Sequence, residues 1–297
     1  MIDLNKLSTE QRNPASVAID KVSTQELVEI INREDHKVAD AVEKILPAIA
    51  LTVDLVADRL KKGGRLFYMG SGTSGRLGIL DAVECPPTYS TDPQQIQGLI
   101  AGGYEAIFRA REGAEDSEEQ GRNDIWAKEL TPDDVVMGIS ASGRTPYVLG
   151  GMKEAKERGC AVLGLCCSAR SAMAKIADLC LTVLPGPEVI TGSTRMKAGT
   201  ATKMVLNMIT TGAMVRLGKV RGNLMIDVRA TNEKLLERAL SIVCTVTGCS
   251  REEARLSLAR NRGSARKAVE EWKIRNWPGR SCRWWGPGPM YVRPPTA

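Results

Sequence analysis

The sequence has a single histidine, His36, and that scarcity removes two chemistries at the outset. A Ser-His-Asp triad needs an imidazole to take the nucleophile's proton. His36 stands among Glu34, Asp35 and Lys37 in a helical stretch, where a solvated position is expected. Zinc sites need closely spaced cysteine pairs or histidine clusters. The eight cysteines are irregularly spaced, and Cys160, Cys166, Cys167 and Cys180 lie in apolar segments, as buried free thiols do. No metal is expected, and the thiols point to a reducing compartment. Long apolar runs are also lacking. The first thirty residues carry Asp3, Lys6, Glu10, Arg12, Asp20, Lys21, Glu26 and Glu29, which leaves no room for a signal peptide or membrane span. A cytoplasmic protein without a membrane partner is the expectation. The main body also lacks a basic face. Residues 251–297 hold eleven Lys/Arg against four Asp/Glu, a surplus of +7 within a net charge of +6, so residues 1–250 sum to −1. A nucleic-acid partner is therefore not indicated.

What is present fits one large α/β domain with helical additions, since 43% of the 297 residues are hydrophobic. Ser23 and Glu26 form a capping-box pattern ahead of Leu27, Val28, Ile30 and Ile31. A second helical pattern runs from Val38 to Leu60, with Pro47 expected to kink or restart it. From residue 65 the period changes. Short apolar runs at 65–70, 96–102, 135–140, 160–167 and 179–185, most of them ending in or followed by glycine or serine, alternate with helical stretches. That alternation predicts a doubly wound, five-stranded parallel α/β sheet covered on both faces, with ligands at the carboxyl ends of the strands. A long helix is expected over about 195–218, then two shorter ones at 233–247 and 250–260 around Gly248. The expected domains are a helical N-terminal segment (1–54), the α/β domain (55–220), a small helical region (233–265) and a basic, aromatic tail (266–297) without periodicity, in which four of the five tryptophans fall.

Two strand-ending loops carry chemistry. Gly70-Ser-Gly-Thr-Ser-Gly75 has the spacing of a dinucleotide loop, but the acidic residue that should end a second strand is missing: Glu84 runs straight into Cys85-Pro86-Pro87. The hydroxyls of Ser71, Thr73 and Ser74 suit a sugar or phosphate better, and no nicotinamide cofactor is expected. The second loop, Ser140-Ala-Ser-Gly-Arg-Thr145, precedes Pro146 and a helix. Backbone N–H groups of Ser142, Gly143 and their neighbours, the hydroxyls of Ser140, Ser142 and Thr145, and a helix N-terminus converge there on one anion.

With these loops in view the sequence resembles the sugar isomerase (SIS) family, and its longer words narrow the likeness. GTSGRLGILDAVECPPTYS, REGAEDS, ISASGRTPYV, TGSTRMKAGTATKMVLNM and NLMIDVRATNEKL resemble the N-acetylmuramic acid 6-phosphate etherases over about residues 8–260. The resemblance implies a flavodoxin-like SIS domain, a sugar-phosphate substrate, no cofactor and a homodimer in which Asn13, Ser16 and Asp20 reach a neighbour's site. It implies cleavage of the C3 lactyl ether: ring opening exposes the C1 aldehyde, a base removes the C2 proton, lactate leaves, and water adds. Glu84 and Glu115 match the family's two catalytic glutamates. Glu115 would take the C2 proton, while Glu84 would protonate the lactate and activate water, its pKa raised by apolar walls and its position fixed by a Pro86-Pro87 turn. Glu188 is a third candidate carboxylate, and Ser193, Arg195 and Lys197 are candidates for phosphate or lactate carboxylate. The alternatives are a sugar-phosphate-binding regulator without turnover and an aldose–ketose isomerase.

Overall fold

The computed structural model describes residues 10–228 and 232–275, which belong to two units, Met1–Met225 and Ile226–Ala297. In the larger unit α1 (Thr24–Glu43) starts where Ser23 Oγ accepts the Glu26 N–H, the Ser23 half of the predicted capping box. Val38 and Val42 continue this helix rather than opening another, and its buried stripe includes Ile30 and Ala41. The chain then restarts as α2 (Leu46–Lys61), with Pro47 in the first turn, where its missing N–H costs nothing.

The alternating part follows as β1 (Leu66–Gly70), α3 (Gly72–Tyr89), β2 (Ile96–Ile100), α4 (Glu105–Phe108), α5 (Glu118–Trp126), β3 (Val135–Ile139), α6 (Pro146–Glu157), β4 (Ala161–Cys166), β5 (Leu179–Thr182) and α7 (Lys197–Arg216). All strand pairs are parallel, in the order β2-β1-β3-β4-β5. The first strand sits between the second and third, with Gly70 in register with both Ile100 and Ile139. Strand order reverses there, which opens a crevice at the carboxyl ends of β1 and β3. Side chains alternate across the sheet. Leu66, Tyr68, Val135, Met137 and Leu163 face a core built with α1, α2 and α7. Phe67, Met69, Val136 and Val162 face Ile125, Tyr147, Val148 and Met152 from α5 and α6. Burial on both sides is why these strands read as unbroken apolar runs.

One local expectation fails. Pro86 and Pro87 lie inside the last turn of α3 and not in a separate turn. Each removes an N–H, but proline's fixed φ is compatible with a helix, and Ser90, at φ 50, closes the end by donating its N–H to the Pro86 carbonyl at 2.9 Å.

The smaller unit contains α8 (Glu233–Thr247), α9 (Arg251–Arg260) and α10 (Ala265–Arg275). Gly248 ends α8 at φ 74, and Ser250 with Glu253 makes a full capping box on α9. Residues 266–275, assigned from the sequence to an irregular tail, are instead helical. Ala265, Ala268 and Val269 are buried, and Glu271 accepts from Ser257, Arg260 and Asn261. The rest of that tail, 276–297, lies outside the described residues.

Candidate active site

A cavity of about 330 Å³ occupies the crevice, bordered by Ser71, Thr73 and Ser74 from the first loop and Ser140, Ser142 and Thr145 from the second. Ser71 stands at the N-cap of α3 in extended conformation, yet its side chain makes no cap hydrogen bond. The hydroxyl and the first N–H groups of α3 thus remain available to an anion. In the second loop Ser140 Oγ is hydrogen-bonded to Thr145 Oγ1 at 2.8 Å and to Ser142 Oγ at 3.3 Å. It also accepts the Gly143 N–H at 3.1 Å. Gly143 itself does not border the cavity. Its φ is +66°, and a Cβ there would stand 2.3 Å from Cβ of Ser171, so only glycine lets the loop close this tightly.

The third wall comes from the N-terminal end of α7 and the turn before it, through Gly192, Thr194, Ala198, Gly199 and Thr202, with Glu10 beside them. Of these the sequence reading identified none. Ser193 and Arg195 do not border the cavity, and Arg195 is exposed.

Lys197 corrects another expectation. It is buried, and its Nζ donates to Glu34 Oε2 at 2.6 Å, away from any anion at the site. Glu34 also accepts from Lys37 at 2.5 Å and from Asn13 at 2.8 Å. Burial works to raise its pKa, but these bonds prevail and hold it down at about 2. Glu188 is likewise structural. Its carboxylate accepts the N–H groups of Lys197 and Ala198, both at 2.9 Å, capping α7. Asn13 and Ser16 turn inward as well, donating to the carbonyls of Pro187 and Val189 in the same chain, so they are not free to reach a neighbour. Asp20 is exposed.

Glu115 borders the cavity, placed by a 3₁₀ turn (Ala114–Asp116) that follows Gly113 at φ 76. Glu84 does not. It sits on the exposed side of α3, beside a different cavity of about 390 Å³ between α3 and α7, with Asp81, Lys203 and Asn207. Among the described residues the two glutamates line different cavities, and neither is walled in by apolar groups: both are solvent-exposed. Asp81, near Glu84, is the buried carboxyl. Burial lifts its pKa to about 6 against the opposing hydrogen bonds from Tyr68 at 3.0 Å and Thr210 at 3.1 Å. His36 is exposed on α1, its Nδ1 2.8 Å from the Asn32 carbonyl. Among the described residues, no group of three or more His, Cys, Asp or Glu is arranged to hold a metal, and no helix is long and apolar enough to cross a membrane.

The chain matches three family models: the N-terminal SIS domain of glucokinase regulatory protein over residues 48–156, the SIS domain over 120–212, and the C-terminal lid domain of glucokinase regulatory protein over 222–274. It is 57% identical over 253 residues to an N-acetylmuramic acid 6-phosphate etherase of Clostridium beijerinckii, covering 85% of this chain and 83% of that one. It is 58% identical over 257 residues to N-acetylmuramic acid 6-phosphate etherase 2 of Vibrio parahaemolyticus, covering 86% of each. Among solved structures, a phosphoheptose isomerase of Neisseria gonorrhoeae aligns with 66% of this chain and 100% of its own at 18% identity and a TM-score of 0.49.

Proposed function

The chain belongs to the N-acetylmuramic acid 6-phosphate etherase family, and on that footing we propose how its cavity cleaves the C3 lactyl ether of this sugar phosphate, giving N-acetylglucosamine 6-phosphate and D-lactate. It is a carbon–oxygen lyase of cell-wall amino sugar recycling. The observation that carries the site assignment is Glu115 lining the same cavity as the hydroxyls of both loops and the N-terminal ends of α3 and α7. The 6-phosphate binds at Ser140, Ser142 and Thr145 with the loop's N–H groups, and Ser71, Thr73 and Ser74 hold the opened sugar. Phosphate binding supplies the energy that orients the open-chain aldehyde. Glu115 takes the C2 proton made acidic by that aldehyde. Lactate departs from C3 as Glu84 protonates its oxygen; Glu84 then takes a proton from the water that adds at C3, and Glu115 returns its proton to C2. These steps require no cofactor.

In this reading the Glu84 that serves a given Glu115 comes from a second copy of the chain, in a homodimer. It lies on an α3 face where Leu80 and Val83 are 42% and 57% exposed, a surface suited to a second copy, which would also wall in both carboxyls. A cytoplasmic location is supported by a substrate already phosphorylated at C6 and by free thiols at Cys85, Cys160, Cys166 and Cys167.

A second reading, a sugar-phosphate-binding regulator, draws on the glucokinase regulatory protein models that the chain matches. Lactate release from N-acetylmuramic acid 6-phosphate by the purified chain separates the two. Release that disappears in both Glu84→Ala and Glu115→Ala supports the etherase. Tight binding of N-acetylglucosamine 6-phosphate without any lactate release supports the regulator.

A further inference from the structure

A smaller cavity of about 190 Å³ adjoins the first, and Ser71, Gly72 and Glu115 form the wall common to both. Beyond that wall it is bordered by Arg76, Arg111 and Glu112. Arg76 is partly engaged, its Nε donating to the Ile107 carbonyl and an Nη to that of Ala106, both at 2.8 Å. Arg111 is placed differently. Its Cδ would lie 3.1 Å from a Cβ at Gly102, where φ is +85°, so the stem rests over a glycine where a side chain would be strained and crowded. The Arg111 guanidinium forms no ion pair among the described residues.

The substrate of the reading above bears two anions, a phosphate on C6 and a carboxylate on the lactyl group at C3, and the bond to be broken lies between them. The protein offers two adjoining cavities of matching chemistry, with the proposed base at their junction. Resting on that reading, we infer that the Arg76–Arg111 cavity is the leaving-group subsite and that Arg111 grips the lactyl carboxylate. A guanidinium presents paired N–H donors that match a carboxylate in a fork. The local charges fit as well. Arg76 and Arg111 balance Glu112 and Glu115, and a C2 proton taken by Glu115 leaves one positive charge beside the departing lactate anion. The residues first considered for this carboxylate are placed elsewhere: Lys197 is buried against Glu34, and Arg195 borders neither cavity.

The test is calorimetric titration of two sugar phosphates into Glu115→Gln protein, with and without Arg111→Ala. Removing Arg111 should weaken N-acetylmuramic acid 6-phosphate by about tenfold or more, as loss of a charged hydrogen-bonded partner does. N-acetylglucosamine 6-phosphate, which has no carboxylate, should change by less than about twofold. Arg111→Lys, which keeps the charge without the fork, should fall between. Equal weakening of both ligands would assign Arg111 to holding the loop, and no weakening of either would remove it from the site; each overturns the inference. Lactate release by the parent chain is read separately. Its absence would overturn the etherase reading, while the ratio of the two affinities would still decide the subsite.

Discussion

Lys197 Nζ lies 2.6 Å from Glu34 Oε2, with the two side chains only 1% and 3% exposed. They tie the first turn of α7, which borders the cavity, to α1, 163 residues earlier. Removing one partner of a buried pair strands the other charge, so Glu34→Ala is expected to cost about 3–5 kcal/mol in urea unfolding. Glu34→Gln combined with Lys197→Met should cost far less. A Glu34→Ala midpoint equal to that of the parent would show that the pair does not hold α7 in place.

Asp81 gives a pH signature of defined sign. Burial raises its pKa from 3.8 to about 6, so the folded chain holds this proton more tightly than the unfolded chain does. Its contribution to stability therefore falls as pH rises from about 4 to about 6, by roughly 3 kcal/mol at most. Asp81→Asn keeps an acceptor for Tyr68 and Thr210 but loses the titration. The melting temperature of the variant relative to the parent should climb across that window and level off above it. A difference that stays flat with pH would mean that Asp81 ionises freely. Glu34 acts in a separate window and with the opposite sign: its stabilisation is complete above its ordinary value of 4.5 and fades as pH falls toward about 2.

Gly143→Ala should damage the Ser140–Thr145 loop. The left-handed backbone and the 2.3 Å approach to Ser171 predict a loss of about 1–3 kcal/mol of stability. Binding of N-acetylglucosamine 6-phosphate should weaken with it. Adding Ser171→Gly removes the colliding atom and should recover part of both; no recovery would point away from that contact.

Mixing subunits tests whether Glu84 and Glu115 meet across a dimer. Glu84→Gln and Glu115→Gln proteins should each release no lactate. Unfolded and refolded together, they should regain up to about a quarter of parental activity, because half of randomly formed dimers are mixed and each mixed dimer has one intact site. Persistent inactivity would mean that both carboxylates serve from one chain.

The strands and the two loops were legible because their signals are local. A short apolar run ending in Gly70 or Ser140 states both burial and the turn that follows, and the hydroxyls needed for an anion lie within six residues of one another. Glu188 and Lys197 were misread because their roles are set by partners that no local pattern reveals. One caps the helix that begins nine residues later, and the other meets a carboxylate from α1. Glu10 and Thr202 escaped notice for the same reason, since only the folded chain brings the opening segment and a threonine in the second turn of α7 to the crevice. The Pro86-Pro87 pair misled in another way: proline is a turn former by propensity, yet its fixed φ is compatible with the last turn of α3.

The bonds among Ser140, Ser142 and Thr145 give the crevice a threshold for admission. These hydroxyls already satisfy one another, so an arriving group gains only what it offers beyond the bonds it displaces. A sugar hydroxyl exchanges one neutral hydrogen bond for another and comes out nearly even. A phosphate dianion brings charge-assisted acceptors, roughly twice as strong as their neutral counterparts, and reorients all three donors toward itself. If the 6-phosphate binds here as proposed, these hydroxyls would favour phosphorylated over unphosphorylated sugars before C2 or C3 comes near a carboxylate.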